Sequence, residues 1–86
     1  GINTNELDKL VQSIKRLLTD AITPEIREII NDNVAVLQEE LKKENPKKGF
    51  IKTAIGGLQS IYPKIAGAVE LTADITSIIQ FAMLVL

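Results

Sequence analysis

The chain has 86 residues, enough for one domain, and its 45% hydrophobic but only 3% aromatic composition favours helices packed on helices. Ten Lys and Arg residues nearly balance eleven Asp and Glu residues, and this net charge of −1 argues against a dedicated nucleic-acid binder. Histidine and cysteine are absent, which excludes disulfides, His/Cys zinc sites and histidine-activated nucleophiles.

The first element opens with residues suited to capping a helix. Asn3 or Asn5 would place its side-chain oxygen on the first free backbone N–H groups, with an acidic residue three positions later. Apolar residues then recur at steps of three and four, which predicts a helix near residues 5–22 with one buried stripe. The stripe consists of Leu7, Leu10, Val11, Ile14, Leu17, Leu18, Ala21 and Ile22.

The second element begins at Pro24, which suits the first helical position because its missing N–H costs nothing there. A helix is predicted near residues 24–44, since Asn45 precedes a proline and therefore avoids the helical conformation. The short connection at Thr23 favours a hairpin of helices 1 and 2. The apolar side of helix 2 comprises Ile26, Ile29, Ile30, Val34, Leu37 and Leu41, with Val36 beside it.

The third helix is predicted near residues 46–60, with Asn45 as its cap and Pro46 at its first position. Its apolar face includes Phe50. The pair Gly56-Gly57 would cost about 1 kcal/mol per glycine relative to alanine. We therefore expect another helix to approach closely there, with a local bend as the alternative.

The fourth helix is predicted near residues 63–84, after a break at Tyr62-Pro63. We expect its first half, which is rich in small residues between Ala66 and Ala73, to pack closest. The bulky half from Ile75 should carry the core or a subunit contact. A thin polar line should face water; it consists of Lys64, Glu70, Asp74, Ser77 and Gln80.

The apolar end of the chain raises the question of a membrane. Residues 75–86 fall short of the about 20 apolar residues that a spanning helix needs. Extending the segment back to Pro63 includes Glu70 and Asp74, each of which would cost about 2.5–3.5 kcal/mol near the membrane centre. A buried helix of a bundle or oligomer is therefore favoured. The alternatives are a surface that meets a membrane or a larger partner, and a true spanning segment.

Two charged groups have both structural and functional interpretations. Glu70 and Asp74 lie four apart on one helical face and are expected to be solvated, with salt bridges or a metal or acid–base site as alternatives. Lysines around the Asn45-Pro46 turn would complement the negative end of helix 2, or would contact an anionic partner. They are Lys42, Lys43, Lys47, Lys48 and Lys52. No serine has a recognisable activating base and no phosphate-loop motif is present, so we expect no enzyme activity and no cofactor.

Residues 41–61, LKKENPKKGFIKTAIGGLQSI, combine a charged helix end, Asn-Pro, lysines and a short amphipathic helix, with Ala-Gly-Ala following at 66–68. With this order, residues 36–79 resemble the C-terminal helical tail of bacterial phage-defence proteins, including abortive-infection proteins of the AbiTii type. The chain departs from those tails in having Tyr62-Pro63 in place of a glycine, and Glu70 and Asp74 in a region that is glycine- and alanine-rich. The resemblance implies a bacterial accessory domain for self-association or for coupling to an effector.

Together these patterns predict a single all-α domain over residues 1–86, whole or excised from a larger protein. The expected fold is a four-helix bundle built from two hairpins, with helix 4 most buried. We expect Gly1 to be a tag remnant and, since no signal-peptide pattern precedes helix 1, a cytoplasmic location.

The predicted function is a non-catalytic interaction or oligomerisation module that binds a second copy or another helical protein, and no nucleic acid. The apolar surplus supports it, because exposed apolar patches beyond a few hundred Å² are unusual in monomers. A membrane-active or pore-type helical segment is the alternative, and a fragment of an enzyme is the third possibility. The predicted interaction residues are Gly56, Gly57, Ile75, Ile78, Ile79, Phe81 and Met83.

Overall fold

A computed structural model describes residues 3–86, so Gly1, the predicted tag remnant, lies outside the described residues. The described residues form four α-helices and one 3-10 helix, with no strand among them. This architecture confirms the predicted all-helical bundle. The α-helices are α1 (Thr4–Leu17), α2 (Pro24–Leu41), α3 (Lys48–Ser60) and α4 (Val69–Met83), and the 3-10 helix (Tyr62–Ile65) lies between the last two.

The helices run antiparallel to the neighbours that they contact. Asp8, early in α1, accepts a hydrogen bond from Gln38 near the end of α2. Ser13, late in α1, donates to Asp74 early in α4. The most extensive contacts join α2 to α3 and α1 to α4, whereas the α1–α2 and α3–α4 pairs make fewer contacts. The first helix therefore packs mainly on the last.

One aliphatic core runs through all four helices. Leu7, Ile30, Ile51 and Ile75 are each completely buried, one from each α-helix. α2 contributes six buried positions and α4 five. The prediction that helix 4 is the most buried was therefore wrong, because the core is shared between the helices.

The first helix is shorter than the predicted 5–22. Asn3 caps it as expected, since its side chain accepts from the backbone N–H groups of Asn5 and Glu6 at 3.1 and 3.3 Å. α1 ends at Leu17, and the Thr19 hydroxyl then accepts the N–H of Ala21 at 3.3 Å. Such local hydrogen bonding competes with the helix. The resulting turn buries Ile22 without continuing the helix.

The α2–α3 connection is longer than predicted. Pro24 occupies the start of α2 as expected, but α2 ends at Leu41 rather than near residue 44. α3 begins at Lys48 rather than near residue 46. The side chain of Lys47, its N-cap residue, makes no capping hydrogen bond, and Asn45 does not act as the cap.

The predicted start of helix 4 at residue 63 lies within the 3-10 helix, and α4 begins at Val69. The expected close packing of residues 66–73 was wrong, because Ala66, Gly67 and Ala73 are exposed. Tyr62 Oη and Thr76 Oγ1 share a hydrogen bond of 2.7 Å, which ties the 3-10 helix to α4.

Candidate interaction surfaces

The structure places three of the predicted interaction residues inside the core. Ile75 and Ile78 are completely buried, and Ile79 is 5% exposed. These side chains are therefore covered within one chain. A partner of the folded chain would meet other residues of α4.

Exposed apolar side chains at the end of α4 form what we call the C-terminal surface, comprising Met83, Leu84 and Leu86. They are 49%, 77% and 43% exposed, respectively. Phe81 is half-buried beside a shallow cavity at this end of the bundle. The cavity is lined by Asn3, Leu41, Lys43, Glu44, Pro46, Phe81, Leu84 and Val85. Phe81 and Met83 thus remain reachable from outside, unlike the three isoleucines.

The two predicted glycines differ in their surroundings. A Cβ atom at Gly57 would lie 2.6 Å from Asn33 Oδ1 of α2, whereas a Cβ atom at Gly56 would meet nothing within 4 Å. Asn33 is fixed there, because its Nδ2 donates to the backbone oxygen of Ile29 at 2.8 Å. The predicted close approach of a helix therefore exists at Gly57 and not at Gly56.

An apolar groove runs along the outside of the α2–α3 pair. Its lining, which we call the α2–α3 groove, consists of Asn33, Val36, Phe50, Thr53 and Ala54. Phe50 is 52% exposed and Val36 is 36% exposed. Ile29, four residues before Asn33 on the same side of α2, is also 36% exposed. The groove therefore presents large apolar side chains to solvent along two adjacent helices.

A lysine extends over the aromatic ring in this groove. The Nζ atom of Lys47 lies 5.0 Å from the centroid of the Phe50 ring, within the range of a cation–π contact. The sequence placed Phe50 on the apolar face of helix 3 and thus in the core. Phe50 lies instead at the edge of that face. The position of α2 determines which edge is covered.

Both helices of this pair also carry exposed charged side chains. Asp32 and Glu39 are exposed on α2, four residues before and three residues after Val36. Lys48 and Lys52 are exposed on α3, four residues apart. Among residues 3–86, neither of these lysines nor Asp32 forms a salt bridge, and Glu39 reaches Lys43 only at 4.0 Å. These charges are therefore largely available to a partner.

Glu40 is the buried charged residue at the α2–α3 connection, with 3% of its surface exposed. Its carboxylate accepts Lys43 Nζ at 2.6 Å and the backbone N–H of Lys47 at 3.0 Å. The hydrogen bond from Lys43 is the largest cause that holds the pKa of Glu40 below its usual value, and the Lys47 N–H adds to it against the opposing effect of burial. The same hydrogen bond raises the pKa of Lys43. These groups fix the chain where α2 gives way to α3.

Asp8 has a similar role between α1 and α2. Its Oδ1 atom accepts Lys42 Nζ at 2.8 Å and Gln38 Nε2 at 3.0 Å. These bonds, chiefly that from Lys42, hold the pKa of Asp8 below its usual value. Of the five predicted turn lysines, Lys42 and Lys43 thus form ion pairs within the chain.

The predicted acid pair on α4 is divided between two environments. Glu70 is exposed, whereas Asp74 is half-buried and accepts the hydroxyl of Ser13. Arg16 Nη2 donates to the Ser13 oxygen at 3.4 Å. Across residues 3–86, no group of three or more His, Cys, Asp or Glu side chains is positioned to hold a metal ion. The Asp74 contact joins α1 to α4.

No helix within residues 3–86 has both the length and the apolar character needed to cross a bilayer. Comparison of the chain with protein-family models, with curated proteins and with solved structures found no match.

Proposed function

We propose that this chain is a non-catalytic helical module that self-associates through the outside of its α2–α3 pair. The exposure of Phe50 carries the proposal, because the ring is 52% exposed in an apolar groove rather than packed in the core. Exposed aromatic side chains in apolar depressions are typical anchors of protein–protein contacts. Val36 and Ile29 extend the apolar surface beside it.

The internal packing supports a binding role rather than a catalytic one. The charged side chains with perturbed pKa values, Asp8, Glu40 and Lys43, connect helix ends to one another. Each is engaged in a contact that holds the fold. The large exposed apolar side chains are the groups that these contacts leave without a partner.

The resemblance of residues 36–79 to AbiTii-type tails supports the same role. Such a tail would mediate self-association or coupling to an effector. We therefore propose the biological setting of an accessory domain in a bacterial defence-type protein. Apart from Asn33, the residues that line the groove lie within the residues that carry this resemblance.

Substitution of the anchor residue tests the proposal. We expect Phe50→Ser to raise the dissociation constant of the self-associated form by about tenfold or more, because a central aromatic anchor typically contributes at least about 2 kcal/mol. Light scattering coupled to size exclusion measures the effect. Val69→Ser is the matched control, since Val69 is 76% exposed at the start of α4. Equal association by both variants would contradict the use of the groove.

The C-terminal surface favours a second candidate function, insertion into a membrane surface. Leu84 is 77% exposed and lies next to Met83 in sequence. Flotation with vesicles of phosphatidylcholine and phosphatidylglycerol tests this candidate. Protein that floats with the vesicles, and that ceases to float after Leu84→Ser, would support membrane binding. Protein that stays at the bottom of the gradient would exclude it.

A further inference from the structure

Phe50, the anchor residue of the groove, lies in the first turn of α3. It is the third residue of this helix, which begins at Lys48. The next residue, Ile51, is completely buried, and its N–H donates to the backbone oxygen of Lys47 at 3.2 Å. The core therefore holds α3 from Ile51 onward. Lys48, Gly49 and Phe50 are all exposed, so the core does not fix the turn that carries the anchor.

Local residues do little to stabilise this first turn. Gly49 loses more conformational freedom in a helix than any other residue type would. The N-cap residue Lys47 makes no side-chain capping hydrogen bond, and no acidic residue lies in the first turn to complement the positive helix end. The turn therefore depends on a contact from another part of the chain.

Glu40 supplies that contact from α2. In a capping box, the N–H of the N-cap residue is accepted by a Glu or Gln three residues later in the same helix. In α3 that later position is Phe50, and the N–H of Lys47 is accepted by the Glu40 carboxylate at 3.0 Å instead. The Nζ atom of Lys47 also lies 5.0 Å from the centroid of the Phe50 ring. Lys47 thus connects the buried carboxylate to the exposed ring.

From these contacts we propose that Glu40 is the positioning residue of the α2–α3 groove: its ionised carboxylate holds Lys47 and the first turn of α3, and thereby fixes Phe50 for binding. This inference rests on the proposed function, since it names the group that regulates the same surface. Glu40 does not itself line the groove. Binding through Phe50 should nevertheless weaken when Glu40 is protonated or replaced.

The charged groups around Glu40 set the direction of the pH dependence. Lys43 and Lys47 face its carboxylate, and Glu39 reaches Lys43 at 4.0 Å. Asp8 of α1 bonds other side chains of this region. The hydrogen bond from Lys43, followed by that from Lys47, keeps the pKa of Glu40 below its ordinary value of 4.5. Phe50 should therefore lose its fixed position only as the pH falls below 4.5, through the lower pKa of the folded chain.

A fluorescent reporter at the anchor tests the positioning without depending on association. The chain contains no tryptophan, so Phe50→Trp introduces a single indole into the groove. Quenching of its fluorescence by acrylamide in dilute protein measures how exposed the ring is. We expect Glu40→Ala to raise the quenching constant and to shift the emission to longer wavelength. Glu44→Ala, at an exposed acid of the same connection, is the control and should change neither.

The pH profile of the same reporter separates positioning from a general loss of stability. Quenching in the Phe50→Trp protein should increase as the pH falls below 4.5. Glu40→Gln should remove this increase, because its amide does not titrate but its oxygen can still accept the N–H of Lys47. Asp8 is present in both proteins, so its titration cancels in the comparison. Circular dichroism at each pH verifies that the helices remain formed.

Stiffening the first turn should compensate for the missing carboxylate. A Cβ atom at Gly49 would meet nothing within 4 Å, so Gly49→Ala fits the turn and reduces the freedom of the unfolded chain. Added to Glu40→Ala, it should lower the quenching constant again. In the protein without the reporter, Glu40→Ala should raise the dissociation constant of self-association by about two- to tenfold, the range that one hydrogen bond contributes. Gly49→Ala should restore part of this loss.

The outcomes distinguish this inference from the proposed function. If Glu40→Ala and low pH both leave the quenching unchanged, the inference is wrong, whereas self-association through Phe50 stands. If quenching increases but the dissociation constant does not, the ring that Glu40 positions is not the anchor, and both are contradicted. A wild type that is monomeric at every concentration contradicts the proposed function, while the reporter still decides whether Glu40 positions Phe50. If Glu40→Ala does not fold, the pH profiles of Glu40 and Glu40→Gln decide.

Discussion

Glu40 and Lys47 are joined by a hydrogen bond that takes over the role predicted for Asn45 at the start of α3. The Glu40 Oε1 atom accepts the backbone N–H of Lys47 at 3.0 Å, while its Oε2 atom accepts Lys43 Nζ at 2.6 Å. A carboxylate at this point also suits the positive end of the α3 dipole. One side chain from the end of α2 thus organises the connection to the next helix.

Removing this carboxylate should destabilise the fold. We expect Glu40→Ala to lower the melting temperature, because it leaves the backbone N–H of Lys47 and the Lys43 ammonium without their partner. Glu28→Ala is the control, since Glu28 is an exposed acid of the same helix. Thermal unfolding followed by circular dichroism measures both variants. Equal melting temperatures would show that the Glu40 contacts contribute nothing.

The stability of the protein should fall in acid. The pKa values of Glu40 and Asp8 lie below their ordinary values of 4.5 and 3.8 in the folded chain. The stability that these two carboxylates contribute is therefore complete at a pH above their ordinary pKa values. It is lost as the pH falls from those ordinary values through the lower pKa values of the folded chain. The urea midpoint should be lower at about pH 3 than at about pH 6, and Glu40→Gln should reduce this difference.

In alkali the fold should instead lose stability as the pH rises, because of Lys43. Glu40 raises the pKa of Lys43 above 10.5, so the contribution of that lysine to stability is complete below pH 10.5 and is lost as the pH rises through the raised pKa.

A urea midpoint that is the same in acid and at neutral pH, in both the wild type and Glu40→Gln, would contradict the account of the Glu40 and Asp8 contacts in acid.

The adjacent glycines of α3 should respond differently to alanine. Gly56→Ala should stabilise the fold by about 0.5–1 kcal/mol, because its Cβ atom meets open space and alanine favours the helix. Gly57→Ala should lose that gain or destabilise, since its Cβ atom would lie 2.6 Å from Asn33. Urea unfolding at low protein concentration measures both. Adding Asn33→Ala should relieve Gly57→Ala, and identical effects of the two alanines would contradict the close approach.

Burial of the α4 isoleucines predicts a stability effect that does not depend on protein concentration. Ile78→Ala should cost about 2–5 kcal/mol, because it opens a cavity in a completely buried site. Val69→Ala, at a position that is 76% exposed, should cost far less. Chemical unfolding at two protein concentrations separates this effect from a change in association. A small loss that disappears on dilution would instead place Ile78 in a subunit contact.

The apolar stripes were sufficient to predict four helices, and a cap and a proline predicted where α1 and α2 begin. Asn3 and Pro24 both have their expected positions. The helix ends at Leu17 and Lys48 could not be predicted, because they depend on local bonds of Thr19 and on Glu40 seven residues before Lys47. The spacing of apolar residues indicates which side of a helix is buried, but it does not reveal these hydrogen bonds.

The candidate site was predictable only in part, for a related reason. Ile78 and Phe50 both belong to apolar faces in sequence, yet Ile78 is completely buried and Phe50 is 52% exposed. Which edge of a face is covered depends on where the neighbouring helix lies. That position is fixed by tertiary contacts such as the approach of Asn33 to Gly57.

Sedimentation equilibrium of the wild-type protein over a wide range of concentrations tests the central claim most directly. Self-association through the α2–α3 groove predicts an average mass that rises from the 9.4 kDa of one chain toward twice that value. It also predicts that Phe50→Ser shifts this rise to higher concentration. A mass that stays at 9.4 kDa at the highest concentration would contradict the proposed function.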